Sequence, residues 1–150
     1  MDDLVYVRCY GYGEVKARNM DKYGKQVDLA RLAIVGKDTL DVHHHNHICL
    51  FQIVGETMAF YLEYLAAEGT YIVARLNRIK LSRGIMEIEE FISAIPSLYR
   101  VYTAFKASKA TVTREYWIEK YRETLDTPSF RTVIDKSRLN SRPSFIHHES

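Results

Sequence analysis

The sequence predicts an all-β core, a five-stranded barrel with a short helix between strands 3 and 4, followed by a C-terminal helical extension. Three observations support this fold class: segments in which apolar and polar residues alternate, turn-forming residues between those segments, and a change of pattern after Pro96. Alternation with period two is typical of half-buried strands, and turn residues between such segments indicate hairpins. We therefore assign the barrel to residues 1–97, the extension with a short helix to 98–126, and a flexible tail to 127–150.

The first two strands are predicted to form a hairpin. Small and apolar residues alternate with tyrosine and charged residues over 4–17, and Gly11 and Gly13 favour the bend or bulge of a strand that curls round a barrel. Turn-forming residues follow at 19–25. Residues 26–35 are the predicted second strand, and the pair is predicted to form a hairpin.

The remaining strands surround a predicted helix. Residues 47–54 are almost continuously apolar, which indicates a central third strand. Residues 57–69 are predicted to be helical, because apolar side chains recur three and four residues apart and the segment ends in glycine. Residues 70–81 and 85–92 are the predicted fourth and fifth strands. This order matches the OB-fold, a partly open Greek-key barrel.

The C-terminal third follows a different pattern. Residues 98–107 fit a strand or a helix equally well, whereas 114–125 predict a short helix with Trp117 on its apolar stripe. Proline, serine and arginine dominate after Thr127, which is typical of a flexible tail.

Total charge does not indicate a nucleic-acid-binding protein. The 150 residues carry 21 Lys+Arg and 19 Asp+Glu, with 11 and 13 of these in residues 1–98 and 10 and 6 in residues 99–150. A polyanion site on this chain therefore requires local clustering of basic residues.

The cysteine content and the absence of a long apolar run indicate in which cellular compartment the protein is located. Cys9 and Cys49 are too few for a disulfide framework, and no run approaches the ~20 apolar residues that span a bilayer. The amino-terminal residues have no signal-peptide pattern. We therefore expect a cytoplasmic protein with no membrane partner.

Several segments resemble the family of bacterial-type single-stranded DNA-binding proteins. The stretch VKARNMDKYGKQVDLARLAIV (15–35) resembles the first hairpin of that family. HICLF (47–51), EYLAAEG (63–69) and YIVARL (71–76) are similar to its histidine-containing third strand, its helix and the strand that follows. The resemblance covers about residues 4–92. It implies an OB-fold homodimer or homotetramer that coats and protects unpaired DNA during replication, recombination or repair.

The sequence also departs from the family pattern. Asn46 occupies the place where the family usually carries a tryptophan, and the chain ends in SRPSFIHHES rather than in a Gly/Gln/Pro-rich linker with an acidic tip. These departures indicate a divergent member, encoded by a phage or another mobile element, that does not recruit partners through an acidic tip. Its expected location is the nucleoid, or the host cytoplasm for a phage-encoded protein.

Binding a single strand without sequence preference requires aromatic rings that stack on bases and a basic groove that follows the phosphates. The predicted strands offer both kinds of side chain. The candidate nucleic-acid-binding residues are Tyr6, Arg8, Tyr10, Tyr12, Lys16, Arg18, Lys22, Tyr23, Lys25, Arg31, His47, Phe51, Arg75, Arg78 and Lys80.

Structural roles compete with binding for some of these residues. In the family that the chain resembles, part of the first strand pairs between subunits, so its tyrosines also fit a dimer interface. Phe51 has apolar neighbours and fits the core equally well. Strict alternation points Arg75 away from Arg78 and Lys80, and the latter two also fit a solvated strand edge.

The sequence predicts neither catalysis nor a cofactor. The run HHHNH (43–47) lacks acidic or cysteine partners at typical metal-ligand spacing, and consecutive side chains of an extended segment diverge, so we expect a flexible loop that contacts phosphate or base. No Gly-rich phosphate loop or catalytic triad pattern occurs. Two alternatives stay open: an OB-fold protein that binds RNA, and a protein-interaction module of a replication or transfer complex.

Overall fold

The computed structural model describes residues 9–16, 22–67, 69–109, 112–120, 129 and 132. Within these ranges the chain forms four strands, four α-helices and a 3-10 turn. The elements, in chain order, are β1 (Gly11–Lys16), α1 (Lys22–His43), β2 (Ile48–Val54), β3 (Thr57–Ala67), β4 (Thr70–Lys80), the 3-10 turn (Ile85–Glu87), α2 (Ile88–Ser93), α3 (Ile95–Ser108) and α4 (Arg114–Lys120).

The four strands form one open mixed sheet in the order β1-β2-β3-β4. β1 and β2 run parallel, with Gly11 opposite Cys49, and α1 is the crossover between them. β2, β3 and β4 follow as antiparallel hairpins. Gly55 opens the first hairpin turn with a φ of 59°, which glycine adopts without steric cost. The prediction of a five-stranded OB-fold barrel is therefore wrong.

The predicted second strand, residues 26–35, lies within the long helix α1. Its apolar residues occupy positions 27, 29, 30 and 32–35 and do not single out a helical face, whereas the buried residues of the helix include a stripe at Asp28, Leu32, Gly36 and Leu40. Two of these four positions are polar or glycine. The positions of the apolar residues alone therefore do not reveal that this segment is a helix.

The predicted helix 57–69 is the strand β3. Its buried residues Ala59, Glu63 and Leu65 share one face with even spacing, and one of them is a carboxylate. The opposite face also carries apolar side chains, because helices cover both sides of the sheet. Because both faces of the strand carry apolar residues, some of these residues lie three and four positions apart, which is also the spacing of an apolar stripe on a helix.

The predicted fifth strand, residues 85–92, forms the 3-10 turn and most of α2. Its isoleucines lie three and four residues apart as well as at alternate positions, so the segment satisfies both periods. Residues 98–107, which fitted either structure, belong to α3.

Other elements lie where the sequence predicts them. Residues 47–54 and 70–81 contain β2 and β4. The strand predicted over 4–17 is present as β1, with residues 4–8 and 17 outside the described residues. α4 occupies the described part of the helix predicted over 114–125.

The main core lies between α1 and one face of the sheet. α4 contributes the buried ring of Trp117, and the hydroxyl of Tyr12 hydrogen-bonds with that of Thr39 at 2.7 Å. The apolar residues that form the centre of this core are Leu32, Leu40, Ile48, Leu50, Leu65 and Trp117.

Helix α3 lies on the opposite face of the sheet. His47 Nε2 donates a hydrogen bond to the carbonyl oxygen of Ala104 at 3.0 Å, and α3 contacts both β2 and β4. The sheet thus separates α1 from α3. Among the described helices, none combines the length and apolar character needed to cross a bilayer.

Candidate functional site

A groove of about 520 Å³ lies between the first turns of α1 and the α1-facing side of the sheet. Its volume falls within the range of ligand sites in proteins, about 300–1,000 Å³. The groove is lined by Lys22, Lys25, Gln26, Leu29, Gln52, Val54, Glu56, Thr57, Ala59, Tyr61, Arg75 and Arg78. We refer to it as the basic groove.

A bulge in β4 brings two of the arginines to the same wall. Arg75 pairs with Tyr61 and Asn77 pairs with Phe60, so Leu76 has no partner in the register. An extra residue in one strand reverses the alternation beyond it. Arg75 and Arg78, three positions apart, therefore both line the basic groove, contrary to the opposite orientations that strict alternation predicts.

The opposite wall is the beginning of α1. Lys22 and Lys25 lie in its first described turn. The side-chain amide of Gln52 donates a hydrogen bond to the carbonyl oxygen of Lys25 at 3.0 Å, which ties this turn to the centre of the sheet.

The four basic side chains of the groove are available to a ligand. Lys22, Lys25, Arg75 and Arg78 form no ion pair with any described residue. The groove also contains Glu56, whose carboxylate forms an ion pair with Arg83 outside the lining. The uncompensated charge of the groove is therefore positive, and it favours an anionic ligand.

Three other predicted basic residues have acidic partners. Lys16 Nζ lies 2.6 Å from a carboxylate oxygen of Glu14, and Arg31 lies 3.5 Å from Asp28. Lys80 bonds Glu90 of α2 at 2.9 Å. These acidic partners raise the pKa of both lysines. The largest cause is the hydrogen bond to Glu90 for Lys80 and the hydrogen bond to Glu14 for Lys16. These cations are less available to phosphate than the four of the groove.

The predicted aromatic platform is not assembled on one surface. Tyr12 packs against the core beneath α1, where burial raises the pKa of its phenol. Phe51 lies on the other face of the sheet, against Gly13. His47 is buried beneath α3.

The other candidate residues lie away from the groove or outside the described residues. The ring of Tyr10 lies 4.9 Å from that of His45. Tyr23 is half-buried in the first turns of α1 but does not line the groove. Tyr6, Arg8 and Arg18 lie outside the described residues.

The histidine run is packed rather than exposed as a loop. His45 is fully buried, and the ring of His44 stacks on Trp117 with 5.3 Å between centroids. The prediction that this run is a flexible loop which contacts phosphate is therefore wrong. The described residues contain no group of three or more metal-ligating side chains.

Eight of the twelve residues that line the groove, among them Gln52 and Tyr61, were not predicted as site residues. Gln52 and Tyr61 lie on strand faces that the sequence pattern did not resolve, since β2 is almost continuously apolar and β3 was predicted to be a helix. No signal in the sequence distinguishes them from core residues.

A buried carboxyl group, that of Glu63, lies on the same sheet face but does not line the groove. Its exposed fraction is 1%, and the Cβ of an alanine at Gly36 would lie only 2.0 Å from its Oε2 atom. Burial, as the largest cause, and the negative charge of Asp41 together raise its pKa to about 8, although the charge of Lys37 acts in the opposite direction. Glu63 is therefore largely protonated at neutral pH.

Comparison with protein-family models, with curated proteins and with solved structures finds no match to this chain.

Proposed function

We propose that this chain binds a single-stranded polynucleotide through the sugar-phosphate backbone, with the basic groove as the binding site. The observation that carries the proposal is the convergence of Lys22, Lys25, Arg75 and Arg78, all without acidic partners among the described residues, on one groove. The proposal depends on this groove and not on the OB-fold barrel.

The distribution of charge over two walls favours an extended polyanion. Two cations lie on α1 and two on β4. A single strand carries one negative charge per nucleotide, so a strand that follows the groove presents successive phosphates to both walls. A groove of this volume receives a short stretch of one strand and is too small for a duplex.

The lining provides little for reading base sequence. Tyr61 supplies an aromatic ring and Gln52 an amide, while Leu29, Val54 and Ala59 supply apolar surface. Arginine and lysine contacts to phosphate carry no sequence information. We therefore propose a binder with little sequence preference that protects unpaired DNA in replication, recombination or repair, with RNA as the alternative ligand.

The test is the affinity for a fluorescent oligo-dT, measured by anisotropy at low salt, of the wild type and of the double variant Arg75→Gln/Arg78→Gln. Loss of two exposed phosphate contacts, each worth up to about 1 kcal/mol, predicts a Kd about tenfold higher for the double variant. Competition with unlabelled oligo-U and with inorganic phosphate tests the alternative ligands.

The charge-matched control is Lys106→Gln/Lys109→Gln, which removes two exposed cations, one in the last turn of α3 and one directly after it, on the other side of the sheet. We expect its Kd to stay close to that of the wild type. Equal losses in both double variants would contradict the groove as the binding site. Competition by inorganic phosphate at concentrations equivalent to those of oligo-dT phosphate would contradict a polynucleotide ligand.

A further inference from the structure

An apolar stripe on the 3-10 turn, α2 and α3 faces away from the chain's own core. Its six residues have exposed fractions between 51% and 85%. They follow one another at spacings of three, four, three, four and three residues, which is the pattern of a helical seam that packs against another helix. These residues, which we call the exposed seam, are Ile85, Ile88, Ile92, Ile95, Tyr99 and Tyr102.

The exposed seam is separate from the stripe by which these helices pack on the sheet. The packing stripe consists of four half-buried side chains, each of which lies next to a seam residue or one turn after it. These residues are Phe91, Leu98, Val101 and Phe105. α3 contacts β2 and β4. The helices therefore carry two adjacent apolar stripes, and the chain's own fold uses one of them. Contiguous exposed apolar surface of this kind marks an interaction site.

Charge along the seam is divided between its two ends. The α2 end carries three carboxylates, Glu87, Glu89 and Glu90, and the α3 end carries three cations, Arg100, Lys106 and Lys109. Lys80 neutralises part of the acidic end through Glu90 and Glu87. Glu89 is exposed and forms no ion pair with any described residue.

We propose that the exposed seam binds the same seam of a second copy of this chain, in antiparallel orientation, to form a two-fold symmetric dimer. Antiparallel pairing places the acidic end of each seam beside the basic end of the other, whereas parallel pairing places like charges together. A symmetric contact of this kind is self-complementary in both apolar surface and charge. The proposal uses residues outside the basic groove, so it stands independently of the proposed ligand.

Sedimentation equilibrium of the full chain tests the dimer. The wild type is expected to be dimeric over micromolar concentrations, and Ile92→Arg, which places a charge at the centre of the seam, is expected to be monomeric. The control is Ile118→Arg, the same change at an exposed isoleucine of α4, which should remain dimeric. A monomeric wild type, or a dimeric Ile92→Arg, would overturn the proposal.

Charge reversal tests the relative orientation of the two seams. This test does not require that the Ile92→Arg variant folds. Glu89→Lys and Arg100→Glu, each at an exposed position, are each expected to weaken the dimer about tenfold, since every exposed pair occurs twice in a symmetric contact. The combined variant exchanges the two charges, so its affinity should return to that of the wild type. Failure of the combined variant to recover would overturn the antiparallel arrangement.

Discussion

At the scale of single residues, the carboxyl group of Glu63 lies in an environment that differs strongly from water. It lies between β3 and α1 with an exposed fraction of 1%. Its pKa is about 8, compared with an ordinary value of 4.5, because burial penalises the carboxylate and Asp41 adds a second negative charge. The folded chain therefore holds a proton here that the unfolded chain releases above about pH 4.5.

This difference predicts how Glu63→Gln changes stability with pH. A raised pKa means that the contribution of Glu63 to stability is fully present below pH 4.5 and is lost as pH rises to about 8. The loss is about 1.4 kcal/mol per pH unit. Because glutamine does not ionise, the free energy of unfolding of the variant minus that of the wild type should increase from pH 5 to pH 8 and then level off.

Urea denaturation across this pH range measures the difference. Glu119→Gln, the same substitution at an exposed position of α4, is the control. A difference for Glu63→Gln that is independent of pH would show that Glu63 titrates as an ordinary surface carboxylate.

At the scale of elements, Gly36 sets how closely α1 approaches the sheet. A Cβ atom there would lie 2.0 Å from Oε2 of Glu63 and 3.2 Å from Cγ2 of Ile48. Alanine normally stabilises a helix interior by about 1 kcal/mol relative to glycine. Since the buried Glu63 has little room to move, we expect overpacking to dominate and Gly36→Ala to lower the free energy of unfolding by about 1–3 kcal/mol.

Chemical denaturation checks this prediction, with Gly84→Ala as the control. No heavy atom lies within 4 Å of a Cβ built at Gly84, and its φ of −177° is accessible to any residue, so the control should be nearly neutral. A stabilising effect of Gly36→Ala would mean that α1 lies farther from β3 than the structure shows.

The elements that sequence analysis predicted correctly are those whose pattern had one interpretation. β2 is almost continuously apolar and β4 begins directly after Gly69, so both were predicted as strands. The helix α1 was predicted to be a strand and the strand β3 to be a helix, because each buries a polar residue or glycine on its inner face. In α1 these residues are Asp28 and Gly36. Hydrophobic periodicity cannot identify a face that is partly polar.

At the scale of the whole molecule, the basic groove exists although the net charge is only +2. All four of its cations were candidate residues from sequence, but two lie near residue 22 and two near residue 75. Their convergence depends on the crossover of α1 over the sheet and on the bulge at Leu76. Neither the crossover nor the bulge leaves a signal in local sequence.

The most direct test of polynucleotide binding is the salt dependence of the affinity for oligo-dT. Contacts to four phosphates predict a slope of log K against log salt of about −2.8, and Arg75→Gln/Arg78→Gln should reduce it to about −1.4. Polynucleotide binding in the basic groove requires that both slopes are observed. Absence of binding at ~50 mM salt, or an unchanged slope in the double variant, would contradict it.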